Sequence, residues 1–262
     1  MKAAVLGSPI AHSRSPILHR AAYEALGLDW TYDAIDVPSG GLADLKSRLD
    51  GSWRGLSLTM PLKEEVLELL DVCDPVATLT RSANTVVIEH GRWYGSNTDV
   101  GGMVTALRAV DAHGPTATIL GAGATARSAV AALRDLGVTD LYIWARRPEA
   151  ANALAAFAEG CGLTAACTDT PSLTTDIVIS TVPASAAPNM GGPGFLLDCV
   201  YHPWPPPLTA AWDPERRATG LDLLLWQAAE QVATMTGMSP PVDAMASALW
   251  ASMGIPQPNG AD

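Results

Sequence analysis

Thr116-Ala117-Thr118-Ile119-Leu120-Gly121-Ala122-Gly123-Ala124-Thr125-Ala126 passes from a β-branched apolar run, through a glycine turn, into a run of small helix formers. The first five residues suit a buried strand, and the last three suit the start of a helix. Gly121, Gly123 and Ala126 occupy the three small-residue positions of the pattern G-x-G-x-x-G/A. Each has a physical reason. The first permits a tight turn, the second lets backbone approach a pyrophosphate, and the third allows a helix to pack close on the strand. A helix that starts here presents unbonded N–H groups and partial positive charge to phosphates. Gly121, Ala122, Gly123, Ala124, Thr125 and Ala126 are therefore candidate dinucleotide-binding residues.

The next strand, Leu141–Trp144, runs into Ala145-Arg146-Arg147-Pro148. An acidic residue at this point bonds a ribose 2′-hydroxyl, whereas arginine suits a 2′-phosphate. No acid occurs before Glu149. Guanidinium groups pair with phosphate in a fork geometry, so Arg146 and Arg147 favour NADP(H) over NAD.

Outward from this unit, apolar runs alternate with helical patterns along most of the chain, which predicts an α/β protein with largely parallel sheets. Before it, strands are expected at Ala3–Leu6, Trp30–Val37 and Gly55–Leu58, with hairpin strands at Asn84–Ile88 and Trp93–Tyr94. Ser15-Pro16 reads as a helix N-cap followed by Pro at the first helical position. After it, strands are expected at Ile177–Ser180 and Phe195–Leu197. Helices are expected after Gly220, from about Leu221 to about Thr236, and over Pro241–Ser252, and Asn259–Asp262 reads as a frayed tail.

With 16 basic against 27 acidic residues, the chain carries a formal charge of −11. Such a field repels nucleic acid and anionic membranes. The N-terminus lacks the pattern of a signal peptide, no run is long and apolar enough to span a bilayer, and a cytoplasmic location is expected. Cys73, Cys161, Cys167 and Cys199 lack metal-ligand spacing, as do the five histidines. They read as reduced thiols, and no metal is expected.

Other polar clusters lie in the first hundred residues and near the end. Gly7-Ser8-Pro9-Ile10-Ala11-His12-Ser13-Arg14-Ser15-Pro16 places two hydroxyls in a loop entering a helix, a setting suited to a carboxylate. Thr59-Met60-Pro61-Leu62-Lys63, Ser82-Ala83-Asn84-Thr85 and Asn97-Thr98-Asp99 supply further polar groups beside strand ends. Asp198-x-x-Tyr201-x-Pro203 and Gly220-Leu221-x-x-Leu224-Leu225-x-Gln227-Ala228 follow in order.

Taken together, these motifs resemble the shikimate dehydrogenases from Gly7 to about Gln227. The resemblance implies an N-terminal α/β substrate domain joined by the C-terminal helices (1–99 with 221–262) and a Rossmann-like NADP-binding domain (100–220), with the active site in the cleft between. It implies reversible NADPH-dependent reduction of 3-dehydroshikimate to shikimate. Lys63 and Asp99 would be the catalytic pair, Ser13 and Ser15 would hold the substrate carboxylate, and Thr59, Asn84, Tyr201 and Gln227 would contact the substrate. The chemistry agrees, since reducing a ketone needs a proton on oxygen as well as a hydride on carbon. An ammonium beside the carbonyl supplies the proton and stabilises the developing alkoxide.

The chain departs from the family pattern at Ala145, where many relatives have Asn, and at Ala150, where a basic residue is expected. Further departures are Ala124, Pro206 and Leu223, in place of frequent Gly, Thr and Met. Two alternatives remain at this stage. One is a quinate or quinate/shikimate dehydrogenase using NAD or NADP. The other is a non-catalytic paralogue that senses shikimate-like acids. The partner is expected to be a small molecule, and the sequence leaves a homodimer open.

Overall fold

A computed structural model describes residues 1–256 as two compact units, so the expected tail Asn259–Asp262 lies outside the described residues. One unit comprises Met1–Thr98 together with the chain from Gln227 onward, and the other comprises Asp99–Trp226.

The first unit opens with β1 (Lys2–Gly7), α1 (Ser15–Ala25), β2 (Thr31–Asp36), α2 (Leu42–Arg48) and β3 (Trp53–Leu58). It continues with α3 (Leu62–Glu65), β4 (Val72–Cys73), α4 (Pro75–Thr80), β5 (Thr85–Glu89) and β6 (Arg92–Ser96). The sheet order is β2-β1-β3-β5-β6-β4. β1, β2 and β3 are parallel, while β5 runs antiparallel to β3 and β6 to β5. The β5–β6 hairpin turns on His90 and Gly91, both with positive φ (51° and 76°), the twist that suits a two-residue hairpin. Ala4, Leu6, Leu56 and Leu58 alternate along β1 and β3 into a core shared with Leu42, Leu62 and Trp93.

Two local readings change here. Ser15 is the first residue of α1 rather than its cap. Arg14 takes the cap position without a side-chain bond, and the Ser15 N–H donates to Ser13 Oγ at 3.4 Å. Helix α4, not anticipated from the sequence, is started by Asp74, whose carboxylate accepts from the Ala77 N–H at 2.6 Å, with Pro75 next in line.

The second unit contains α5 (Asp99–Ala109), β7 (Thr116–Leu120), α6 (Ala124–Asp135), β8 (Asp140–Trp144), α7 (Pro148–Gly160) and β9 (Thr164–Cys167). β10 (Ile177–Ser180), β11 (Phe195–Asp198), α8 (Pro207–Ala211) and β12 (Arg217–Ala218) follow. All six strands are parallel, in the order β12-β11-β10-β7-β8-β9. Counted from β9, this is the 3-2-1-4-5-6 order of the doubly wound dinucleotide fold, and the order reverses between β7 and β10. Ligands bind at such a point, beyond the carboxyl ends of the strands.

Helix α9 (Gly220–Thr236) begins in the second unit and ends in the first, where α10 (Val242–Met253) packs against α1. The division falls inside α9, between Trp226 and Gln227, rather than at its start. The part of α9 from Gln227 to Thr236 lies along the sheet of the first unit. Met235, for example, sits where a Cβ on Gly55 of β3 would come within 2.5 Å of its sulfur. All four cysteines are free. Among the described residues, no helix is long and apolar enough to cross a membrane.

Candidate active site

In the first unit, one edge of the sheet collects most of the residues singled out from the sequence. β1 and β3 are parallel and end together, with Leu6 opposite Leu58. β5 starts at that same edge and β6 ends there, because Thr85 pairs with both Ser57 and Ser96. Ser13 and Ser15 follow β1, Thr59 and Lys63 follow β3, Asn84 precedes β5, and Asn97-Thr98 follow β6. Asp99 is the next residue and opens α5 of the second unit.

The loops at this edge are held tightly. A Cβ on Gly7 would strike Thr59 Cγ2, so only glycine lets β1 pass this close to the Thr59 turn. The Ser8 N–H donates to Met60 O at 3.0 Å, and the Thr59 N–H to Leu6 O at 2.9 Å. Asp36, at the end of β2, accepts from Ser8 Oγ at 2.9 Å and from the Ile10 N–H at 3.3 Å, anchoring the loop that carries Ser13 and Ser15. Lys63 lies on α3, and its carbonyl accepts the Ala83 N–H at 2.9 Å, which ties its turn to the Asn84 segment.

Asn84 is the hub of this edge and is 1% exposed. Its Oδ1 accepts from the Thr98 N–H at 2.9 Å, Thr98 Oγ1 at 3.1 Å and Thr85 Oγ1 at 2.8 Å. A backbone N–H can only donate, so these bonds decide which end of the amide is oxygen. Nδ2 therefore faces Gln227 and donates to its Oε1 at 3.4 Å.

In the second unit, the glycine turn has the features its sequence requires. Gly121 has φ +110°, and a Cβ there would also strike Thr181 Oγ1. Gly123 caps α6 with no side-chain bond, and a Cβ on it would meet nothing within 4 Å. Gly123 itself is exposed, at the N-terminal end of α6. A cavity of ≈ 240 Å³ at the β7/β10 crossover is lined by Gly121, Gly123, Trp144, Arg146, Arg147 and Thr181, among others. The cation pair therefore borders the same space as the phosphate turn. Tyr201 lies in this unit, after β11. Nearby, burial pushes the Asp198 carboxyl above its usual range, although Thr209 Oγ1 donates to it at 2.9 Å. Thr209 thus supplies a hydroxyl to this acid.

Comparison with known proteins adds an independent line. The family profile of the shikimate dehydrogenase substrate binding domain matches residues 5–86, and that of the shikimate 5′-dehydrogenase C-terminal domain matches residues 220–249. Over 270 residues the chain is 36% identical to a shikimate dehydrogenase (NADP(+)) of Thermus thermophilus, covering 97% of this chain and 100% of that protein. The chain belongs to the shikimate dehydrogenase family. Solved structures agree. The Mycobacterium tuberculosis shikimate dehydrogenase is 39% identical with a TM-score of 0.84, covering 95% of this chain and 99% of that one. A Thermus thermophilus shikimate 5-dehydrogenase, in complex with NADP(H) and shikimate, is 33% identical with a TM-score of 0.82, covering 96% and 99%.

Within this family frame, Ser13, Ser15, Thr59, Lys63 and Asn84 fall inside the substrate-domain match, and Gln227 inside the C-terminal one. The phosphate turn falls outside both and rests on its own geometry. Sequence reading missed Thr181-Val182-Pro183, which line the same cavity from the end of β10. Their signal was present: a turn directly after an apolar strand at the crossover. It also missed Gln231, one helical turn beyond Gln227 on the same face of α9.

Proposed function

We propose that this chain catalyses the reversible NADPH-dependent reduction of 3-dehydroshikimate to shikimate, a step of aromatic amino acid (chorismate) biosynthesis. The observation that carries this reading is similarity to an NADP(+) shikimate dehydrogenase over 97% of this chain and 100% of that protein. The geometry of each unit supports it.

In this reading, the Ser13 and Ser15 hydroxyls receive the substrate carboxylate, while Thr59, Asn84, Tyr201 and Gln227 hydrogen-bond the rest of the molecule. Lys63 donates a proton to the carbonyl oxygen during reduction and takes it back during oxidation. Asp99 orients the ammonium. The second unit fits NADP(H): the side-chain-free space at Gly123 suits the pyrophosphate, and Arg146 and Arg147 suit the 2′-phosphate. When bound, the nicotinamide supplies the hydride that reaches the carbonyl carbon. The protein's share is to place the carbonyl, protonate its oxygen and stabilise negative charge there. The same reading places the enzyme in the cytoplasm, with a small molecule as its partner.

Steady-state assay of the purified protein with shikimate or quinate, each with NADP or NAD, tests the proposal. Shikimate with NADP should have the highest kcat/KM. Quinate with NAD as the best pair would refute the assigned specificity, and no turnover with any pair would refute the enzymatic reading.

A further inference from the structure

Beneath the Asn84 edge, a continuous polar chain runs through an otherwise apolar interior. Gln231 is at its centre and is 1% exposed. Its Nε2 donates to the Asn84 carbonyl at 3.1 Å and to Thr85 Oγ1 at 3.0 Å. Its Oε1 accepts from Ser57 Oγ at 2.6 Å and faces His19 Nε2 at 3.2 Å. Behind these, Tyr32 donates to Ser57 Oγ at 2.6 Å and stacks on His19 with ring centroids 3.9 Å apart. The Tyr23 hydroxyl lies 3.4 Å from His19 Nδ1.

Two backbone groups decide the direction of every bond in the chain. The Asn84 carbonyl can only accept, so the Gln231 atom facing it is Nε2. Gln231 Oε1 must then receive protons from both Ser57 and His19. His19 is therefore the tautomer with its proton on Nε2, and Nδ1 accepts from Tyr23. Burial supports a neutral ring, lowering the His19 pKa to about 3. On the other side, Gln231 donates to Thr85 Oγ1, which passes its own proton to Asn84 Oδ1 at 2.8 Å. The Thr98 N–H imposes the same amide orientation independently. No bond in the chain can reverse without leaving a buried donor facing a donor or an acceptor facing an acceptor, which costs more than the bond itself contributes.

We propose that Gln231 is a positioning residue for substrate binding: through Thr85 and the Asn84 backbone it holds the Asn84 carboxamide with Nδ2 directed toward Gln227 and the substrate. The helix geometry explains why this residue can do so. Gln227, Gln231 and Met235 lie four residues apart on one face of α9, against Asn84, Ser57 and Gly55 respectively. The inference rests on the proposed function, because it takes Asn84 and Gln227 as substrate contacts.

The test compares the wild-type chain with Gln231→Met and Thr85→Val, both near-isosteric and both cutting the same link. Shikimate and NADP kinetics and the thermal midpoint are measured for each. Wild type must first turn over shikimate with NADP; an inert wild type removes the functional reading and this inference with it. Given activity, each variant should raise the shikimate KM roughly tenfold or more while the NADP KM stays within about twofold, since one lost buried bond corresponds to about a tenfold change. The double variant should be no worse than the more damaging single variant, because both remove one coupling. A lowered thermal midpoint with unchanged shikimate KM in both variants would make the chain purely structural and overturn the proposal, as would fully additive effects. Thr85→Val also decides the matter should Gln231→Met fail to fold.

Discussion

Thr98 donates two hydrogen bonds to one atom of Asn84, its backbone N–H at 2.9 Å and its Oγ1 at 3.1 Å from Oδ1. Asn84 therefore acts at once as a proposed substrate contact and as the clamp on the peptide just before Asp99. Asn84→Ala should leave the buried Thr98 N–H without its acceptor and lower unfolding free energy by about 1–3 kcal/mol. Turnover of shikimate should fall as well. Denaturant titration beside steady-state kinetics checks this, and unchanged stability would show that Thr98 finds another partner at no cost.

Arg146 and Arg147 border the cavity that holds the phosphate turn. Replacing either with Ala should raise the NADP KM by roughly ten- to a hundredfold, as expected for a lost charge-assisted phosphate contact of about 1.5–3 kcal/mol. NAD kinetics should barely change. Equal effects on the two cofactors would assign these arginines to folding rather than to cofactor choice.

His19 makes the fold sensitive to acid. Its pKa falls from 6.5 to about 3 in the folded protein because burial disfavours the charged ring. Between those values the unfolded chain binds a proton that the folded chain does not. Stability from this residue is thus fully present above pH 6.5 and is lost as pH drops toward 3, by about 1.4 kcal/mol per pH unit. His19→Gln keeps an amide donor toward Gln231 and removes the titration. Its unfolding free energy should decline less steeply between pH 6 and about 4 than that of wild type. Parallel pH profiles would show that His19 does not contribute to acid lability.

The phosphate turn was legible in the sequence because its physics is local: an apolar strand, glycines for the turn and small residues for helix packing sit in consecutive positions. β8 and β10 were legible for the same reason, as compact apolar runs closed by turn residues. β4 and β12 were not, since two residues establish no period, and neither was β9, whose Thr-Ala-Ala-Cys lacks a strongly apolar run. The short α4 escaped because its identity depends on the Asp74 cap rather than on an apolar stripe. Lys63 and Asn84 were singled out only through motif context, as a lone Lys or Asn carries no such signal. Gln231 was invisible for a different reason. Its partner His19 is 212 positions away, and nothing in either local sequence encodes that meeting.

The central claim is that Lys63 carries the proton, and the kinetics of Lys63→Ala test it most directly. Removing a general acid typically costs about 10²–10⁴-fold in turnover. kcat should fall by that factor, with the shikimate KM within a few-fold of wild type. Adding Asp99→Asn should cost little more, because the two groups act as one unit. A Lys63→Ala enzyme with near-normal kcat and a sharply raised shikimate KM would contradict a proton-donor role and make Lys63 a binding residue only.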